Sequence, residues 1–337
     1  MYDEKILTYT ELMDGHFPLP SPLIENFIEE GTVSLWSALW GTGKTWLELE
    51  AARAVASGTS FLCHFPTVQG DVLILDQENI AGKIQERFRA MDRARPLPRD
   101  LPIKHCTLRG VRLDDLEGFR TIDGILSREK PKLVFLDSWI RFMAANENNA
   151  VAVAMVNENV RALVAAHGCA IATLDHIRKR PAGGGVDDPS DRTRGSGEKL
   201  GFVENALTIE RSRDDKDLLI VHPLKRRYGE LTGSFRIKFD VDRVDGSVSL
   251  RYCGDAVKEE AGKPGMVVEA IAALKVQWGE DAADATTITG WLEWSESTTR
   301  RVLRTMVIAG QLRTRTLRPK SGGAGTNRTV YDVAEAR

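Results

Sequence analysis

The sequence predicts an α/β protein in which a mostly parallel sheet is covered by helices, extended by antiparallel strands and followed by a small second domain. Three observations predict it. Short β-rich runs alternate with helical stretches over residues 32–174, the pattern of a parallel sheet. From residue 218 three β-rich runs follow one another with only turns between them. The chain, at 337 residues, holds about two domains of roughly 150 residues each.

Thr32–Trp36 is an apolar strand, and Thr45–Ser57 has the apolar spacing of a helix. The alternation continues with strand Asp71–Leu75, helices Ala81–Asp92 and Leu116–Ser127, strand Leu133–Leu136, helix Ala152–His167 and strand Ala170–Leu174. Leu218–Pro223, Gly233–Phe239 and Ser247–Tyr252 read as antiparallel strands, with turns at Tyr228-Gly229 and Asp245-Gly246. The stretch from Arg180 to Gly197 is long for a loop in a compact domain, and such loops are usually functional. Ala261-Gly262-Lys263-Pro264-Gly265 has the composition of a joint. The expected division is residues 1–254, a linker at 255–264 and a second domain at 265–337.

With 46 basic and 48 acidic residues the net charge is -2, which excludes a uniformly basic nucleic-acid coat and an acidic tail. No apolar run suits a membrane helix, and Met1-Tyr2-Asp3-Glu4-Lys5 lacks the layout of an export signal, so the expected location is cytoplasmic. Cys63, Cys106, Cys169 and Cys253 form no C-x-x-C pair and are expected to be buried free thiols. The six histidines are equally scattered, which makes a transition-metal site improbable.

Val33-Ser34-Leu35-Trp36 leads into Ser37-Ala38-Leu39-Trp40-Gly41-Thr42-Gly43-Lys44-Thr45 and then into helix, the strand, loop and helix context of a P-loop. Its glycines let backbone N–H groups converge on phosphate oxygens at a helix N-terminus. Ala38, Gly41, Thr42, Gly43, Lys44 and Thr45 are the candidate nucleotide cradle. Lys44 is expected to reach the β and γ phosphates of ATP, and the Thr45 hydroxyl to complete a Mg2+ shell. Ala38 stands where the motif has its first glycine, a position that mainly opens the turn.

A P-loop specifies a triphosphate and leaves the reaction open. Lys132-Leu133-Val134-Phe135-Leu136-Asp137 is an apolar strand ending in an acid suited to hold Mg2+, which makes Asp137 the candidate Walker B residue. Ser138 follows it, so the adjacent glutamate of the AAA+ arrangement is absent. Val72-Leu73-Ile74-Leu75-Asp76-Gln77-Glu78 offers a base instead: Glu78 at the rim can orient the attacking water, with Asp76 as fallback. The alternative is that Glu78 merely caps the helix beginning near Ile80. Cys169 to His176 is another strand ending at the same edge, where His176 can bond the γ phosphate. Pro223-Leu224-Lys225-Arg226-Arg227-Tyr228-Gly229 is a basic turn, and Arg227, with Lys225 beside it, is the candidate arginine finger for a neighbouring subunit.

These motifs, in this order, with Arg87, Asp137-Ser138-Trp139-Ile140-Arg141-Phe142, Asp175-His176-Ile177-Arg178-Lys179 and Arg194-Gly195-Ser196, resemble the RepA-type hexameric replicative helicases. That family is a branch of the RecA-like P-loop ATPases, found on plasmids, phages and other mobile elements. The resemblance covers about residues 20 to 250. It implies a RecA-like core, a homo-oligomer, and ATP held between subunits, with Lys225 and Arg227 reaching in from the neighbour. It also implies that Glu78 is the base and His176 the phosphate sensor. The loop from Lys179 to Arg194, with Lys179, Arg180, Arg192 and Arg194, would touch single-stranded DNA.

Met266–Trp278, Thr287–Trp294 and a third helix to about Ala309, opened by Ser295, precede two strands at Gln311–Leu317 and Thr329–Val333. Three helices and a hairpin look like a winged helix. Ser297–Tyr331 carries eight basic residues and no acid, so Arg300, Arg301, Arg304 and Arg315 are candidate DNA contacts. Winged helices also bind proteins. The leading expectation is an ATP-driven DNA motor; the alternatives are a recombination or annealing mediator and an ATP-switched DNA-binding regulator.

Overall fold

The computed structural model describes residues 6–145, 149–177, 198–212, 215–256, 263–317 and 328–334. The chain divides into two compact units, one ending at Gly254 and one beginning at Asp255. The first opens with α1 (Tyr9–Asp14), whose Thr8 cap and Glu11 close a capping box, and the short antiparallel pair β1 (Pro22–Ile24) and β2 (Ile28–Glu29). Then come β3 (Val33–Ala38), α2 (Lys44–Ser57), β4 (Val72–Asp76), α3 (Ala81–Ala94), β5 (Ile103–Thr107), α4 (Leu116–Glu129) and β6 (Leu133–Asp137). A 3-10 turn (Trp139–Phe142) leads to α5 (Ala150–His167), β7 (Ala170–His176) and α6 (Glu198–Phe202). β8 (Asn205–Arg211), β9 (Leu218–Arg226), β10 (Phe235–Val241) and β11 (Val248–Asp255) complete the unit.

One sheet takes nine strands in the order β11-β10-β9-β8-β3-β7-β6-β4-β5. From β8 to β5 every pair is parallel, while β8 with β9 and β9 with β10 are antiparallel. The central parallel strands are buried on both faces, which is why β4 (VLILD) and β6 (LVFLD) are continuous apolar runs. Alternate side chains enter different cores. Trp36, Ile74 and Phe135 pack with α2 and an aromatic cluster of Phe27, Phe61, Phe65 and Phe235, whereas Leu35, Leu75 and Leu136 pack with residues of α4 and α5.

β5 and β8 carry no strand signal of their own in the sequence reading. β5 is an edge strand with Lys104 and His105 in a five-residue run, and β8 buries the polar Asn205 and Thr208. Both are strands because their neighbours supply pairing partners. Cys63 and Cys253 are exposed and Cys106 is half-buried; of the four thiols expected inside, only Cys169 is buried.

The second unit holds α7 (Lys263–Trp278), α8 (Ala285–Leu292), α9 (Glu296–Ile308) and an antiparallel hairpin of β12 (Leu312–Leu317) and β13 (Arg328–Val333). α7 therefore begins inside the stretch read as linker. Val267, Ile271, Leu274, Ile288, Leu303, Met306 and Leu312 form its core. The Ser295 side chain accepts from the Thr298 amide at 3.3 Å and caps α9. Among the described residues no helix is long and apolar enough to cross a membrane.

Candidate active site

β3, β4, β6 and β7 are parallel and in register, so their carboxyl ends lie side by side. Asp76 stands opposite Asp137, and Ala38 opposite His176. A single sheet edge thus collects the phosphate loop, the acidic strand ends and the histidine, where open α/β sheets bind ligands.

Ala38 is the last residue of β3 and fully buried. Its position is still strand, so it needs no glycine. Left-handed backbone is confined to Gly41 (φ 73°) and Gly43 (φ 115°), which keep the two glycines the motif requires. Arg211 Nη2 donates to the Thr42 carbonyl at 2.9 Å while its guanidinium lies 5.5 Å from the Phe239 ring centre, holding the loop from β8.

Lys44 opens α2, is 7% exposed, and donates from Nζ to the Asp175 carbonyl at 2.8 Å. Burial pushes its ammonium below the usual lysine range, against the pull of Asp137, Asp175 and Glu78. Thr45 Oγ1 lies 3.3 Å from Asp137 Oδ2, and Asp137 Oδ1 is buried with no hydrogen-bond partner among the described residues. Burial raises the Asp137 carboxyl to about 6, with Lys44 opposing. A buried carboxylate oxygen lacking a partner, beside a hydroxyl and an ammonium, is a donor set that fits Mg2+ and phosphate. Bound Mg2+ would neutralise phosphate charge there. Lys44, Thr45 and Asp137 are the residues that would hold the pair.

Glu78 lies at the same edge. Its Oε1 accepts from Ser138 Oγ at 2.5 Å and lies 3.5 Å from His176 Nε2 and 3.9 Å from Arg141 Nε. The His176 contact above all, with Ser138 and Lys44 helping against burial, holds its carboxyl at about 2, so Glu78 is ionised and able to accept a hydrogen bond from a water. The capping alternative fails: α3 begins after Ile80 with no side-chain cap. Asp76, the fallback, is engaged by the backbone. Burial pushes its carboxyl up, but the nearby His105 ring and bonds from the Asn79 and Glu78 amides outweigh this and hold it below its ordinary value. Its Oδ1 accepts the Glu78 and Asn79 amides at 2.7 Å each, so Asp76 shapes the turn that presents Glu78.

Sequence reasoning missed Ser138, Arg141 and Arg211 as site residues. For Ser138 the available signal was its place directly after Asp137 on the same edge. It also missed Glu48, one helical turn beyond Lys44, fully buried with neither oxygen hydrogen-bonded among the described residues. Burial, with Asp137 and Asp76 nearby, pushes this carboxyl far up.

Lys225 and Arg227 are not brought to this cluster. Lys225 and Arg226 lie within β9 rather than in a turn, and Arg227 follows directly. Antiparallel pairing sets Arg226 opposite Asn205, which in turn stands opposite Ser34. The segment is therefore level with the start of β3, about 13 Å along the strands from Ala38 at roughly 3.3 Å per residue. Lys225 Nζ donates to the Leu200 and Gly201 carbonyls at 2.8 and 3.0 Å, and burial, then Arg227, push it below its ordinary value. Arg227 Nη1 lies 3.5 Å from Glu204 Oε1.

Lys179, Arg180, Arg192 and Arg194 lie outside the described residues. In the second unit Arg304 is exposed and Arg301 half-buried. Arg300 pairs with Glu296 at 2.7 Å, and Arg315 with Asp281 at 2.7 Å. The run without acids is thus not a face without acids, because Glu296 and Asp281 come from outside it.

A family model described as an AAA domain matches residues 5–182. The chain belongs to this family. An AAA-domain ATPase binds nucleotide through its P-loop, the role the Lys44, Thr45 and Asp137 geometry fits, and Mg2+ accompanies the nucleotide in the family generally. In this AAA-domain chain Glu78 follows the strand that neighbours the Asp137 strand, and Ser138 holds its carboxylate.

Proposed function

We propose that the chain is an ATP-driven DNA motor of the RepA-type helicase class. It works as a homo-oligomeric ring, hexameric by resemblance, that hydrolyses ATP at its subunit interfaces. Lys44, Thr45 and Asp137 hold the Mg-nucleotide, Glu78 orients the attacking water, and His176 senses the γ phosphate. Lys225 and Arg227 of the next subunit supply the cations that stabilise the transferring phosphoryl group. The supporting observation is that these two cations stand at the end of the sheet opposite Lys44, so only a second copy can complete the site with them. Lys179, Arg180, Arg192 and Arg194 line the channel for single-stranded DNA. The second unit acts as a winged helix that recruits the motor to duplex DNA through Arg300, Arg301, Arg304 and Arg315.

A second reading for that unit, docking to a protein partner, is favoured by the internal pairing of Arg300 and Arg315. Salt-dependent duplex binding by the whole chain, weakened by Arg304→Ala, selects DNA. For the motor, the decisive experiment measures ATP turnover with and without single-stranded DNA, and displacement of a strand from a forked duplex. Stimulation with displacement is expected. Stimulation without displacement selects the recombination or annealing mediator, and no stimulation selects the ATP-switched regulator.

A further inference from the structure

α6 is five residues long, yet both ends are tied. Lys199, 2% exposed, donates from Nζ to Asp175 Oδ2 at 2.8 Å, inside the protein. The Asp175 main-chain carbonyl is the group on which Lys44 Nζ rests, and the next residue, His176, lies 3.5 Å from Glu78. At the other end, Lys225 Nζ donates to the Leu200 and Gly201 carbonyls. A cation on the last carbonyls of a helix fixes its orientation as well as its charge.

A buried ion pair is a poor source of stability, because desolvation offsets the attraction. Asp175 is fully buried and its Oδ1 has no hydrogen-bond partner among the described residues, so this pair is held at a cost. What it fixes is position. We infer that Lys199 is a positioning residue for two phosphate sites: through Asp175 it sets Lys44 in its own subunit, and through α6 it sets Lys225, which serves the next. When Lys44 turns to a phosphate it leaves the Asp175 carbonyl. The Asp175–Lys199 pair then shifts α6, and Lys225 moves with it. The inference rests on the shared-site reading given above.

The test uses the full chain carrying Asp175→Asn together with Lys199→Met. This pair of changes replaces both charges by neutral groups and keeps the carbonyl that Lys44 uses, and a thermal melt checks folding. ATP turnover is followed while increasing fractions of Glu78→Gln subunits are mixed in. In the unmodified background activity falls more steeply than the fraction of blocked subunits. In the double variant it is expected to fall in direct proportion, and Lys199→Arg alone is expected to keep the steep fall.

A steep curve in the double variant, or a proportional one in the unmodified chain, overturns the inference. If the melt shows the double variant unfolded, Lys199→Gln is read in the same way, with the same two outcomes. A separate mixture of Arg227→Ala with Glu78→Gln subunits isolates the underlying reading. No recovered turnover there removes the shared site itself, whereas recovery alongside a steep double-variant curve removes only the role of Lys199.

Discussion

At the carboxyl edge of β3, β4, β6 and β7, Lys44 and Asp137 are buried, and Asp137 Oδ1 lacks a partner among the described residues. At the other end of the same sheet Lys225, Arg226 and Arg227 are each bonded to their own chain: to carbonyls, to Asn26 and to Glu204. The first arrangement is costly unless a ligand completes it, since a buried polar group without a partner loses the full price of its hydration. In the second the cations are already held by their own chain, and the partly exposed Arg227–Glu204 pair is worth about 0–1 kcal/mol, weak enough to be redirected by a stronger anion. The contrast separates a place built around a ligand from a set of cations that a neighbouring molecule can recruit.

The strongest way to break this comparison is Lys44→Ala. Nucleotide binding, followed by equilibrium titration, is expected to be lost together with hydrolysis; retained tight binding would mean the buried edge is not the phosphate site. Next comes Arg227→Ala, expected to leave ATP affinity nearly intact and cut turnover by about 10^3 to 10^5. A matching loss of affinity would show that the far cations act in their own subunit.

Glu78→Gln is expected to keep binding and reduce turnover by about 10^2 to 10^4. It also carries a stability signature. Glu78 is held at about 2 against an ordinary 4.5, so its stabilising contribution is complete above pH 4.5 and is lost as pH falls from there towards 2. The melting difference between the unmodified chain and Glu78→Gln should therefore shrink across that window. The smallest effect is expected from Ser138→Ala, which removes one bond to a charged group and should lower turnover about tenfold with KM unchanged. A loss as large as that of Glu78→Gln would make Ser138 more than a support.

Much of the site was legible without coordinates. The P-loop, Asp137, Glu78 and His176 all end or follow apolar strands, and parallel strands deliver such ends to one edge. What was not legible were bonds made across the sheet, such as Ser138 to Glu78, Arg211 to the phosphate loop and Lys199 to Asp175. Their partners lie 60, 169 and 24 residues apart, and no local pattern encodes them. β8 was missed for a related reason: buried Asn205 and Thr208 break the apolar run, and the neighbours β3 and β9 supply the hydrogen bonds that make it a strand.

The sequence by itself determined the alternation of the central strands β3, β4, β6 and β7 with their helices, the nucleotide cradle and the identity of the acids at the strand ends. Each is written in residues adjacent in the chain and governed by backbone geometry. Only the tertiary structure decided that Asp76 shapes the turn before α3 and that Ser138 and His176 meet Glu78. Likewise it decided that Lys225 and Arg227 lie at the far end of the strands from their own phosphate loop, and that Arg300 and Arg315 are already paired. Those outcomes depend on the register between strands and on distances between remote side chains, which the packing of the sheet sets and local sequence does not.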